Sequence, residues 1–224
     1  MDESFKTILI LLSGMVVILA VFLLIAGNIY PDGVEMLGIT PESSYGYEVS
    51  LTSSETLYNV TLFLPLPSDQ GYSVVGYGIL NGSGYGIPTN MVTDIFGEGE
   101  SLFLKATLPE TDGMKFGINV DNKVLIDTID PILNSYVIRP VMDLQSGEST
   151  DTYKTYIYAS YDASPGAVVT IDISEEGRNI WKVFSEKTNY FDEHVSLSLT
   201  KSPDKWEKAD VSLSKEKGDY SVLF

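Results

Sequence analysis

The chain contains no cysteine and a single histidine. Disulfide staples, thiol nucleophiles and the usual zinc sites are therefore excluded, because one imidazole and no thiolate cannot complete a tetrahedral metal site. Positive charge is also scarce: 14 Lys and Arg stand against 31 Asp and Glu, a formal charge of -17. Such a surface repels nucleic acid and anionic lipid, which removes nucleic-acid binding as a function class. There is no calcium loop of the D-x-[DN]-x-[DN]-G kind and no G-x-S-x-G nucleophile elbow. The sequence therefore implies no metal and no cofactor, and the pairs Asp127/Asp130 and Asp192/Glu193 are ordinary in so acidic a chain. No repeat of fixed period and no strongly amphipathic helix is present.

What is there begins with an uncharged run, Thr7 to Ala26, made mostly of Leu, Ile and Val. Twenty such residues at about 1.5 Å rise span roughly 30 Å, the hydrocarbon thickness of a bilayer. A cleavable signal has a shorter apolar region ending in a small-x-small site, which Leu24-Ile25-Ala26 does not offer. The run reads as a retained transmembrane helix that places the chain in the lipid bilayer. Lys6 precedes it, and no other Lys or Arg follows until Lys105. The positive-inside bias then puts residues 1–6 in the cytoplasm and the remainder outside the plasma membrane. Residues 27–44, with Pro31 and Pro41, read as a stalk.

Residues 45–224 read as one all-β extracytoplasmic body, an antiparallel β-sandwich of ten to twelve strands. It is either immunoglobulin-like or jelly-roll-like, with a possible division into two subdomains near 145–152. Tyr47, Val49 and Leu51 alternate with polar neighbours, and Leu102 to Leu108 alternates again. LYNVTLFL is closed by Pro65 and Pro67. Tyr72 to Leu80 reads as a Gly-broken strand, Gly76 to Gly99 as an elaborated loop, and Tyr136 to Asp143 as a strand with Pro140 at an edge or bulge. Thr152 to Tyr161 and Val195 to Thr200 complete the set. Turn chemistry predicts three hairpins: about Asp121-Asn122, about Glu175-Glu176-Gly177 with Gly177 left-handed, and about Gly218.

Candidate chemistry is sparse. His194 would have to be the base of any Ser-His-Asp triad, and it reads instead as structural or surface. Gly82, Gly84 and Gly86 in NGSGYGIP read as a hairpin tip, because no helix pattern and no Lys follows to hold a phosphate. No catalytic residue is assigned. Tyrosine is abundant, with 14 in the chain. In TYKTYIYASY, Tyr156 and Tyr158 share one strand face and Tyr153 and Tyr161 the other, which makes these four a candidate contact face for sugar or protein. Trp181 and Trp206 read as core or sheet-edge residues. Asn59-Val60-Thr61 and Asn81-Gly82-Ser83 are glycosylation sequons in the outside region.

The stretches YEVSLTSSETLYNVTLFLPLP and YASYDASPGAVVTIDISEEGRNIWKVF, together with the helix and the acidic β body, resemble single-pass, membrane-anchored surface proteins of archaea, methanogens in particular. The resemblance implies a cell-surface location and no activity or site residue. An exported body without disulfides suits a prokaryotic surface. The functional expectation is a structural, adhesive or interaction role, with a cell-wall layer protein or glycan as partner. Two alternatives stand beside it. One is a filament subunit of pilin or archaellin type, or an envelope-machine component, although Lys6 is followed by Thr7 and not by the usual Gly. The other is a tethered carboxylate-based hydrolase.

Overall fold

The computed structural model describes residues 12–22, 42–98, 101–122, 126–128, 130–132, 136–182 and 186–215. Residues 12–22 form a helix, α1. No helix among the described residues is long and apolar enough to cross a membrane. The rest of the Thr7–Ala26 run, and residues 27–41 of the stalk, lie outside the described residues.

The body is an antiparallel, sandwich-like all-β structure of eight described strands. They are β1 (Glu42–Leu66), β2 (Val92–Glu98), β3 (Ser101–Asn122), β4 (Met142–Ser146), β5 (Thr150–Asp162), β6 (Val169–Lys182), β7 (Glu186–Leu199) and β8 (Lys205–Lys215). One edge of β1 follows β3 along both halves of its length. The other edge pairs with β6 over Glu42–Ser53 and with β5 over Tyr58–Phe63. Since β6 pairs β7, β7 pairs β8 and β8 pairs β5, hydrogen bonding runs round and returns to β1.

β1 can serve both halves because it doubles back. Eighteen residues of straight strand would cover about 60 Å. Yet the Tyr47 hydroxyl donates to the Pro65 carbonyl at 3.0 Å, across a sequence separation of 18. The register slips between Thr52 and Leu57, and Asn59 sits at φ 50. Left-handed backbone of this kind is tolerated by Asn more readily than by most residues. The inward face shifts at Asn59: Tyr45, Tyr47, Val49, Leu51 and Leu57 are buried before it, Val60, Leu62, Leu64 and Leu66 after it. Both sets meet Leu104, Phe116, Ile157, Ile171 and Leu213 in one core. Pro65 lies beyond the last β5 partner, Phe63, so its missing N–H breaks no ladder bond on that edge.

The alternating patterns of Tyr47–Leu51 and Leu102–Leu108 point inward and outward as the residues dictate. Several turn readings are corrected. Asp121 and Asn122 are not a hairpin turn; they end β3, paired with Ser44 and Ser43. Glu175, Glu176 and Gly177 are not a turn either. They lie in the middle of β6, where burial of Ile171, Ile173 and Glu175 on one face outweighs local turn propensity. Gly177 has no positive φ; it is there because a Cβ would overlap the ring of its cross-strand partner Phe191. Tyr136 to Val141 is not strand, and Pro140 lies in the irregular connection before β4. Within 145–152, Gln145 and Ser146 of β4 pair Thr152 and Asp151 of β5 across a short hairpin turn at 147–149. The second arm of the Gly218 hairpin lies outside the described residues.

Tyr72 to Leu80 holds a helix where a strand is expected: α2 (Val74–Leu80). Ser73 caps it, its hydroxyl accepting from the Gly76 N–H at 3.1 Å. Val75 and Ile79, one turn apart, are its buried face. Gly76 leaves room for Ile95 and Leu66, whose methyl carbons stand 2.7 Å from where a Cβ would be. The loop from Gly76 to Gly99 therefore contains α2 and β2.

Gly177→Val should lower unfolding free energy by about 1–3 kcal/mol, because the added branches meet Phe191 in a filled core. Urea denaturation measures it, and a wild-type midpoint would show that the two strands are not packed in this way.

Candidate functional site

Three features of the body carry chemistry, and the first is internal. The β6–β7 register sets Asn179 opposite Asn189, Gly177 opposite Phe191 and Glu175 opposite Glu193. At a period of two, all six residues face the core, and both glutamates are 1 % exposed. This column of polar groups holds the connection between β3 and β4. Asn179 accepts from the Ile126 N–H at 2.9 Å and donates to the Ile126 carbonyl at 2.7 Å and to Asn189 Oδ1 at 2.9 Å. Glu193 Oε2 accepts from the Ile138 N–H at 2.9 Å.

The Tyr153 hydroxyl touches both Glu193 Oε1 and the Ile138 carbonyl, 2.7 Å from the latter. Its single proton serves one acceptor at a time. Burial is the main cause that raises both glutamates above the usual carboxylate range, and for Glu175 the neighbouring Glu193 charge adds to it. Neither oxygen of Glu175 makes a hydrogen bond of good geometry, although Glu193 and the Tyr45 hydroxyl act on it. Burial of two adjacent carboxyls thus favours the protonated form of the pair. The pair is sealed by Tyr45, Tyr47 and Tyr153, so no substrate reaches it in this conformation. That burial counts against these glutamates as the acids of a glycosidase, which must flank a bound sugar.

Above this pair lies a cavity of about 570 Å³. Tyr45, Tyr72 and Tyr136 line it with Val75, Val120 and Asp69. Asp69 and Tyr72 exchange backbone hydrogen bonds of 2.9 and 2.8 Å around Gln70 and Gly71, both at positive φ. This tight turn fixes the rim. Tyr72 stacks on Tyr77 at 4.9 Å and 13°.

The third feature is external. Phe63 on β1 lies 4.9 Å from Phe96, 5.2 Å from Tyr158 and 5.6 Å from Trp206, measured between ring centroids. Phe103 lies 4.7 Å from Trp206. Strand register brings them together: Phe63 pairs Tyr158, Tyr158 pairs Trp206, and Phe96 pairs Phe103. Phe96 is 51 % and Trp206 39 % exposed. Lys105 Nζ stands 5.9 Å over the Phe63 ring, and Asp204 accepts from the Tyr158 hydroxyl at 2.8 Å.

The expected contact face is thus divided as the strand period requires. Tyr153 and Tyr161 are core, and Tyr156 and Tyr158 are on the outer face. Only Tyr158 of the four joins the aromatic cluster. Trp206 is on the outer face too, not in the core; the Trp181 side chain lies outside the described residues. Phe63, Phe96 and Phe103 carry no sequence signal as a group, because they come together only through register. Glu175 has a signal: Val169, Ile171, Ile173 and Glu175 keep one alternation, and extending it would have placed the carboxyl inside.

His194 is half exposed, its Nε2 3.6 Å from Asp172. Asp192 and Glu193 point to opposite faces and cannot share a cation. Asp127 Oδ1 accepts from the Asp130 N–H at 2.9 Å, a local turn. Among the described residues no three His, Cys, Asp or Glu converge as metal ligands. The Gly82–Gly86 stretch is not a free hairpin tip; Tyr85 and Gly117 exchange backbone hydrogen bonds of 2.8 and 3.0 Å, which lays it against β3. Asn59 and Asn81 are both exposed, and Asn59 Nδ2 donates to Asp162 at 2.8 Å. No protein-family model matches the chain, and neither do curated proteins or solved structures.

The glutamate pair gives stability a sign with pH. Its folded-state pKa values lie above the unfolded ones, so its contribution is complete below the unfolded carboxylate range and is lost as pH rises through the folded values. Within that window each proton concerned costs about 1.4 kcal/mol per pH unit. Urea midpoints taken between pH 5 and 9 should fall, and Glu175→Gln should flatten the fall. A midpoint that rises with pH, or a variant with an unchanged slope, would contradict a shared proton.

Proposed function

We propose that the chain is a membrane-anchored extracytoplasmic protein whose β body has a structural or adhesive role at the cell surface. The observation that carries this reading is the outer aromatic cluster of Phe63, Phe96, Phe103, Tyr158 and Trp206, gathered from five strands onto one solvent-facing patch. Exposed aromatic groups with a polar rim mark contact surfaces more than they mark cores. The rim is supplied by Lys105 and Asp204. The partner is an envelope component, a cell-wall layer protein or its glycan.

The anchor is the Thr7–Ala26 run. In its described part the side chains of Leu12, Met15, Val16, Val17, Ile18, Leu19, Val21 and Phe22 are all exposed. A helix apolar on every side needs an apolar surrounding that the body does not give it, and lipid supplies one. The strongly acidic body is then held outside by Lys6 on the inner side. Asn59 and Asn81, both at the surface, are open to glycosylation in that compartment.

Protease treatment of intact cells should remove the β body and leave the segment around residues 7–26 protected; a protected body would overturn the topology. The double substitution Phe96→Ser with Trp206→Ser should weaken binding to isolated envelopes more than about tenfold, as for central aromatic contacts generally. Equal binding by that variant, with its thermal midpoint intact, would remove the aromatic face as the contact.

A further inference from the structure

The cavity beside α2 shares no lining residue with the aromatic face, and its lining is selective in charge. Tyr45, Tyr72 and Tyr136 supply aromatic wall and Val75 and Val120 apolar wall. Asp69 stands on the rim beside Tyr72, held there by the two backbone hydrogen bonds of the turn. Among the described lining residues there is no Lys or Arg.

Negative charge reaches the cavity from two further directions. Asp127 and Asp69 both act on the Tyr136 hydroxyl. Behind the floor, the buried Tyr45 hydroxyl lies under the influence of Glu175 and Glu193. An anion entering this space would meet Asp69 and no cationic side chain among the described lining residues. A metal ion would need a shell of oxygen ligands that valines and tyrosine rings do not provide. A cation clothed in alkyl groups fits both properties at once, since it is weakly hydrated, packs on apolar walls and is attracted by aromatic rings and nearby carboxylates.

We propose that this cavity binds a small organic ammonium ion, one that carries no anionic group of its own. Tyr72 and Tyr136 contact the alkyl shell, and Asp69 supplies the charge at the mouth. Tyr72 is suited to this because stacking on Tyr77 covers one face of its ring and fixes the plane.

The test uses the full-length chain and three probes of related shape: choline, its neutral isostere 3,3-dimethylbutan-1-ol, and phosphocholine. Isothermal titration and saturation-transfer NMR should detect choline, with the isostere binding about tenfold more weakly, the scale of a few desolvated cation–π contacts. Choline affinity should fall with added salt. Tyr72→Leu and Asp69→Asn should each weaken choline several-fold. Both positions are exposed, so the thermal midpoint without ligand should stay near wild type. The isostere binding as tightly as choline would show a merely apolar pocket. Phosphocholine binding as tightly would assign the site to a lipid headgroup. Either result overturns the proposal, as does choline affinity unchanged in both variants or no choline binding at all. The Phe96→Ser, Trp206→Ser variant should bind choline normally, which separates this site from the envelope contact.

Discussion

The fold depends on the doubling back of β1. One edge of this strand is committed to β3 throughout, so the other edge must serve both β6 and β5. A straight strand would carry those partners away from each other. The register slip between Thr52 and Leu57 and the left-handed Asn59 turn the strand, and the Tyr47–Pro65 hydrogen bond clasps its two halves at 3.0 Å. A buried hydrogen bond of this kind contributes only about 1 kcal/mol net. Its larger consequence is geometric, because the halves it brings together carry the apolar side chains of the common core. Without disulfides, that core and the unbroken circuit of strand pairing supply the constraint that covalent staples would give elsewhere.

Inside the circuit, the body departs from the usual partition of polar and apolar groups. Asn179, Asn189, Glu175 and Glu193 face inward from β6 and β7; Asn179, braced by Asn189, holds the backbone at Ile126, and Glu193 holds it at Ile138. A connection that crosses the end of a β body has peptide groups that no strand can satisfy. Asn179 meets that need without charge. Glu193 meets it at a cost, since burying two carboxyls side by side disfavours their charged forms. The same carboxyls lie behind the Tyr45 floor of the cavity, so the device that secures the connection also shapes the potential of the nearest concave surface.

Much of the body is legible in the sequence wherever one face of a strand is wet and the other dry. Tyr47–Leu51, Leu102–Leu108 and the opposed tyrosines of β5 follow the period of two without exception. Legibility fails where local chemistry and tertiary context disagree. Asp121-Asn122 and Glu175-Glu176-Gly177 have the composition of turns, yet each is held extended by partners far away in sequence. Gly177 is chosen for the Phe191 ring that lies over it, a neighbour no local reading could supply. The helix at Val74–Leu80 hides behind two glycines whose purpose is close packing against Leu66, Ile95 and Ile118. The outer cluster was out of reach for a related reason: Phe63, Phe96, Phe103 and Trp206 are neighbours by register, and register is set by the β1 bend and the order of strands.

The misread positions and the candidate sites coincide, and this follows from physics more than from chance. A residue that agrees with its local pattern is explained by folding alone. Glu175 breaks the apolar alternation of β6, and an apolar residue of similar volume there would spare the cost of a buried carboxyl. Phe96 and Trp206 leave aromatic surface in water on a chain otherwise rich in acidic and hydroxyl groups. Neither choice is what a soluble, stable β body requires for its own sake. Both leave chemistry at places where something else can meet it: a flat aromatic patch outside, and a negatively biased aromatic cavity above the inner pair. The first suits a large partner met face to face, and the second suits a small cation met from all sides, which is why they read as two sites and not one.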